Sequence, residues 1–191
     1  MKYFIQVTLT TYVASMLVYA LWSYITFQTL DKGWVGSLVY IPHGCRVIFY
    51  CFFGARSLPA LYGAEVTGPT LIWGDQYLAY WGYASILSLL SVVIAVEILK
   101  WSRTSTFSYS ILKKMNFANY KFLILVIIIS AFFNSIFTNL ALSLMNNVDI
   151  NAIVIARFFI GDVFGSMVFI IWLMIMFNML KDRRLYPVDD N

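Results

Sequence analysis

Apolar residues gather in long unbroken blocks, and each block predicts a helix that crosses a bilayer. Four are plain: Tyr3–Phe27, Leu78–Lys100, Tyr120–Met145 and Ala152–Leu180, each holding about the 20 residues that a crossing needs. Between the first two lies Val35–Gly74, apolar but interrupted by Pro42, Pro59, Pro69 and several glycines. It is too long for one crossing. It predicts two short helices, roughly Val35–Ala55 and Ser57–Gly74, which either cross separately or form a re-entrant pair. The expected fold is all-α: a single polytopic transmembrane helical bundle over residues 1–191, six spans, four long and two short or re-entrant. Residues 181–191 form a short cytoplasmic tail, and no soluble domain or internal repeat stands out.

Composition agrees. Charged residues make up 12% of the chain and hydrophobic ones 61%, whereas a soluble domain carries roughly a quarter charged. The lipid bilayer is therefore the first partner. The net charge of +4 does not describe a nucleic-acid surface, because the basic residues cluster beside the apolar blocks. The first block is longer than a signal-peptide core and reads as a retained span. Cys45 and Cys51 read as small buried thiols, not as a disulfide or a metal site.

Those basic residues set a topology. Lys100, Arg103, Lys113, Lys114 and Lys121 follow the Leu78 block, and Lys181, Arg183 and Arg184 follow the last one. The positive-inside rule makes both stretches cytoplasmic. "NNVDIN" and "GAEVTGPTLIWGDQ" lack Lys and Arg and fit outside loops. Traced backwards, Lys2 lies inside, Asp31–Gly33 outside and Arg56 inside. A multi-pass protein with both termini cytoplasmic satisfies every bias, and a four-span form with a re-entrant pair gives the same ends. Trp34, Trp73, Tyr77, Tyr80, Trp81 and Trp101 read as interface anchors.

A few ionisable residues fall at membrane depth, where each costs several kcal/mol and normally faces the bundle interior with a partner. They are His43, Arg46, Glu65, Arg157 and Asp162. His43, Arg46 and Tyr50 share one helix face with Gly54. Two arginines balance two acids, so the set reads equally as buried ion pairs that fix packing or as a polar pocket for a ligand. Gly161 and Gly165 have the small-xxx-small spacing of close helix contacts, and Gly54 reads with them as a helix-packing position. Ser130, Asn134, Ser135, Thr138, Asn139 and Ser143 form two stripes whose amides and hydroxyls suit cross-helix bonds. With one histidine and no HExxH, P-loop or GxGxxG, the chain offers little material for an enzyme, a metal or a cofactor.

Two blocks carry a resemblance. "YIPHGCRVIFYCFFGARSLPALYGAEVTG" resembles the first block of the MASE1 integral-membrane sensory domains: a Pro/Gly break, an apolar helix ending in Gly and Arg, then a proline and a short helix. "ARFFIGDVFGSMVFIIWLMI" is similar to that family's closing Gly-Asp-x-x-Gly helix. Together they cover about a quarter of the chain, with matching positions Pro42, Gly44, Gly54, Arg56, Pro59, Gly63, Gly161, Asp162 and Gly165. The resemblance implies a module of the bacterial inner membrane. Such domains are usually larger and fused to a cytoplasmic kinase or cyclase, so this chain would signal through a protein partner. In size and span count it is also similar to substrate-binding subunits of energy-coupling-factor transporters. Three functions follow: a non-enzymatic module that binds a small-molecule ligand or a membrane partner through its polar core, a small-solute transport subunit, or a structural assembly factor.

Overall fold

A computed structural model describes residues 2–26, 37–73, 80–102, 117–146, 149 and 151–182. These residues form an all-helical protein: α1 (Lys2–Thr26), α2 (Ile41–Phe53), a 3-10 turn (Gly54–Ser57), α3 (Leu58–Trp73), α4 (Trp81–Trp101), α5 (Phe117–Asn146) and α6 (Ala152–Asp182). Five helical stretches are long and apolar enough to cross a membrane: α1, α4, α5, α6 and Ile41–Ile72, which runs from α2 through α3. The protein is a multi-pass membrane protein. The four long helices lie within a few residues of the expected blocks. Arg103, Lys113, Lys114, Arg183 and Arg184, the Asp31–Gly33 loop, Trp34 and Tyr77 lie outside the described residues.

The broken fifth region resolves into a helical hairpin. In one continuous helix Arg46 and Glu65 would stand about 28 Å apart, yet Arg46 Nε meets Glu65 Oε1 at 2.5 Å. The chain reverses at Gly54, whose φ of 60° and ψ of −147° fall where residues with a Cβ are strained. Nothing lies within 4 Å of where a Cβ would stand on Gly54. Expected as a packing glycine, Gly54 serves the turn instead. The α2 helix starts at Ile41, six residues later than expected. Pro42 sits in its first turn, where the missing N–H costs nothing, and Ser37–Tyr40 runs up to it outside any helix.

Contacts along α1 give the depth of the hairpin. Trp22 Nε1 donates to Val39 O at 2.6 Å, near one end of α1. Arg56 stacks on the Tyr3 ring near the other, 5.4 Å from its centroid. Tyr3 and Trp22 are nineteen residues apart, about 28 Å of helix, close to the thickness of a hydrocarbon core. On the return, Gly63 faces the Tyr12 ring and Gly68 faces Tyr19, so α3 climbs parallel to α1. Both short helices therefore travel most of the length of α1.

Helices α1, α3, α4, α5 and α6 each pack on the next, and α2 fills the space they enclose, touching α1, α4, α5 and α6. The central helix is thus the shortest one. Gly161 and Gly165 let α6 approach closely, but their neighbour is the backbone of Ser37–Tyr40 instead of a helix. Tyr40 N donates to Gly161 O at 2.8 Å. Below the Arg46 level a dry cluster of Val47, Cys51, Val96, Phe122 and Val126 joins α2, α4 and α5.

Gly54→Ala is expected to cost about 1–3 kcal/mol through backbone strain alone, read as a lower unfolding temperature in detergent. Gly63→Ala, where a Cβ would meet the Tyr12 ring at an ordinary 3.5 Å, is expected to change little. Equal losses in the two variants would contradict the turn geometry.

Candidate functional site

The polar core is two connected clusters built around α2. In the first, Arg46 reaches α3 and α4 at once. Its Nε bonds Glu65, its Nη1 donates to the Ser88 hydroxyl, and its guanidinium lies 5.1 Å from the Tyr40 ring centroid. Arg46 is 2% exposed and Glu65 6%. The neighbouring Cys45 Sγ stands 3.6 Å from Ser15 Oγ, so the pair sits level with the middle of α1. Charges at that depth are tolerated because each satisfies the other; on its own either would carry an uncompensated desolvation cost.

Backbone chemistry fixes Glu65 as well. Pro69 lies inside α3 and has no N–H to give the carbonyl four residues before it. That carbonyl belongs to Glu65, and it accepts instead from Trp81 Nε1 at 2.9 Å. Trp81, expected as an interface anchor, serves as a hydrogen-bond donor across helices. A cavity of about 10 Å³ between α1, α2 and α3 is lined by Ser15, Cys45, Arg46, Leu61 and Glu65. That is room for a single water and not for a metabolite.

In the second cluster, His43 faces α5 and α6. Its Nε2 lies 3.0 Å from Ser130 Oγ and its Nδ1 3.6 Å from Asp162 Oδ2. Asn134 Nδ2 donates to Asp162 Oδ2 at 2.6 Å, and Thr138 Oγ1 donates to Asn134 Oδ1 at 2.8 Å. Ser166 Oγ caps the Asp162 carbonyl at 2.7 Å. His43, Asn134 and Asp162 are all buried.

Four of the five ionisable residues expected in the core are thus brought together. The fifth, Arg157, is not. It is half-buried five residues before Asp162, towards the start of α6 and beyond the level where Gly161 meets Tyr40. Among the described residues it forms no ion pair, and its Nε has no hydrogen-bond partner. The residue beside Asp162 is His43 and not an arginine. Among the described residues, Ser130 and Asn134 are the members of the α5 stripe that bond across helices. Asn139 and Ser135 turn back to carbonyls of their own helix, a habit of buried hydroxyls and amides that periodicity alone does not reveal. Ser88 was missed altogether, since an apolar helix carrying a few serines gives no signal until its neighbour is known. Cys45 and Cys51 are free and buried.

Comparison with protein-family models, curated proteins and solved structures finds no match. What the fold and site define is a class: a multi-pass α-helical membrane protein whose central short helix carries buried charge.

Removing one member of the Arg46–Glu65 pair strands the other. Arg46→Met or Glu65→Met alone is expected to lose about 3–5 kcal/mol, and the double variant to recover most of it. Accumulation in the membrane and thermal unfolding in detergent measure this. A double variant no better than the worse single would show that the pair does not act as a unit.

Proposed function

We propose that this chain is an integral membrane binding module with six crossings, whose working part is the hairpin α2–α3 and the polar core it carries. The Arg46–Glu65 bond across that hairpin carries the reading. It makes the position of one short helix depend on the other at mid-membrane depth, which is what a module needs if a local change is to alter its outer surface. The space beside Arg46 and Glu65 holds about one water, so at that cluster a partner or a very small ligand fits better than a metabolite-sized solute. The two blocks that resemble MASE1 sensory domains pack on each other through Gly161, Gly165 and Tyr40 and contribute His43, Arg46 and Asp162 to one core. That agrees with a sensory module of the bacterial inner membrane, with both termini cytoplasmic and output supplied by a protein partner.

Cysteine labelling tests the crossings, and the two native thiols are buried enough to give little background. A cysteine at Ser37 is expected to react from outside, and cysteines at Arg56 and Ser102 from the cytoplasmic side. An Arg56 position that reacts from neither side would make the hairpin re-entrant. Purification in mild detergent, with mass spectrometry of co-purifying proteins and small molecules, tests the binding reading. A stoichiometric signalling or assembly protein is expected. A stoichiometric ATPase pair with a bound metabolite would replace the module with a transport subunit.

A further inference from the structure

Around the central helix, α1 packs on α3, α3 on α4, α4 on α5 and α5 on α6, whereas α1 and α6 each pack on α2. A strip of α2 therefore lies between α1 and α6. Towards Tyr40 that strip is sealed. Trp22 of α1 donates to Val39 O, Tyr40 N donates to Gly161 O of α6, and Val18, Cys45 and Phe169 meet in a buried cluster. Below Cys45 the seal ends. Phe49 packs against that cluster from α2 and stacks on Phe53 with ring centroids 5.9 Å apart, yet both rings are only half-buried. Across from them Trp172 of α6 stacks on Phe169 and is exposed.

The depth of the open part selects its occupant. Cys45 is level with Ser15, at the middle of α1, and the strip from Cys45 to Phe53 is about 12 Å long. That is most of one leaflet, since the hydrocarbon core of both together is about 30 Å. A partner's transmembrane helix would need a groove through the whole depth, whereas an acyl chain needs one leaflet. The lower end of the strip also carries charge. Arg56 is exposed in the turn that follows α2, with its guanidinium held 5.4 Å from the Tyr3 ring centroid. Tyr3 stands nine residues before Tyr12, about two and a half turns, and Tyr12 faces α3. Tyr3 is thus on the opposite face of α1, beside the strip. Lys2 opens the same helix and is exposed. Among the described residues neither cation forms an ion pair, and α1, α2 and the turn contain no acid.

We propose that the strip of α2 between α1 and α6 binds one anionic phospholipid, its phosphate on Arg56 and an acyl chain along Phe49 and Phe53. A guanidinium stacked on a ring keeps its N–H fork in place for a phosphate. The surplus of positive charge favours a headgroup with no cation of its own. The lipid fills the gap in the half of the bundle where α1 and α6 part. This site is separate from the polar core and does not depend on what that core binds.

Titration of the full chain in mild detergent with dioleoyl phosphatidylglycerol or dioleoyl phosphatidylcholine, followed by the unfolding temperature, tests the site. Phosphatidylglycerol is expected to raise that temperature and phosphatidylcholine to leave it nearly unchanged. In Arg56→Gln the phosphatidylglycerol concentration needed for half the effect is expected to rise about tenfold. Lys121→Gln removes the same charge from the exposed start of α5, at the same end of the bundle, and is expected to keep the preference. Glycerol phosphate, a headgroup without chains, is expected to do nothing. Equal effects of the two lipids overturn the proposal, as does an effect of glycerol phosphate alone, or an equal loss in Arg56→Gln and Lys121→Gln. If Arg56→Gln does not accumulate, a photoreactive benzoylphenylalanine in place of Phe53 decides. It is expected to crosslink phospholipid, and capture of a protein instead overturns the site.

Discussion

A charge cannot be left alone in hydrocarbon, and most of the architecture follows from how Arg46 escapes that condition. Its guanidinium needs several acceptors at a depth where lipid offers none. The protein meets the need by folding α3 back to bring Glu65 alongside, by turning Ser88 of α4 inward and by placing the Tyr40 ring over the cation. Each contact comes from a different segment, so one side chain dictates the relative placement of α2, α3 and α4. The hairpin turn at Gly54 and the close approach of α6 at Gly161 and Gly165 are the backbone arrangements that this placement requires.

The same accounting applies to the main chain. A proline in a transmembrane helix frees a carbonyl that water would satisfy in a soluble protein. Here Pro69 frees the carbonyl of Glu65, and the indole of Trp81 bonds it. Side chain and backbone of one residue are thus held by two different helices. The lower half of the bundle has no such demands and is packed with aliphatic and aromatic groups. On α2 the buried charged and ionisable groups lie in the upper half, where His43 and Arg46 are a single turn apart and face different neighbours.

Much of this was legible in the sequence, because lipid imposes strong rules. Length and apolarity gave the four long helices, and the prolines and glycines of Val35–Gly74 gave two short ones. His43, Arg46, Glu65 and Asp162 stood out because ionisable groups are rare at such depth. Partner choice was not legible. Arg157 and Asp162 both stand out as ionisable residues of one apolar helix, yet Arg157 lies towards the start of α6 and Asp162 turns to His43. Gly54 looks like a packing glycine and is a turn, because a sequence shows that a residue lacks a side chain and not why. Ser88 and Trp81 acquire roles only through segments distant in the chain.

The symmetry of the hairpin bears on how the protein is made. Arg46 lies eight residues before Gly54 and Glu65 eight residues after Ser57, so the turn by itself aligns them. The two helices can leave the ribosome and enter the bilayer as an electrically neutral unit, before α4, α5 or α6 exists. Asp162 belongs to the last helix described, and it meets a histidine synthesised more than a hundred residues earlier. Biogenesis thus separates the two clusters in time: the first lets the nascent chain enter lipid, and the second forms only when α6 arrives.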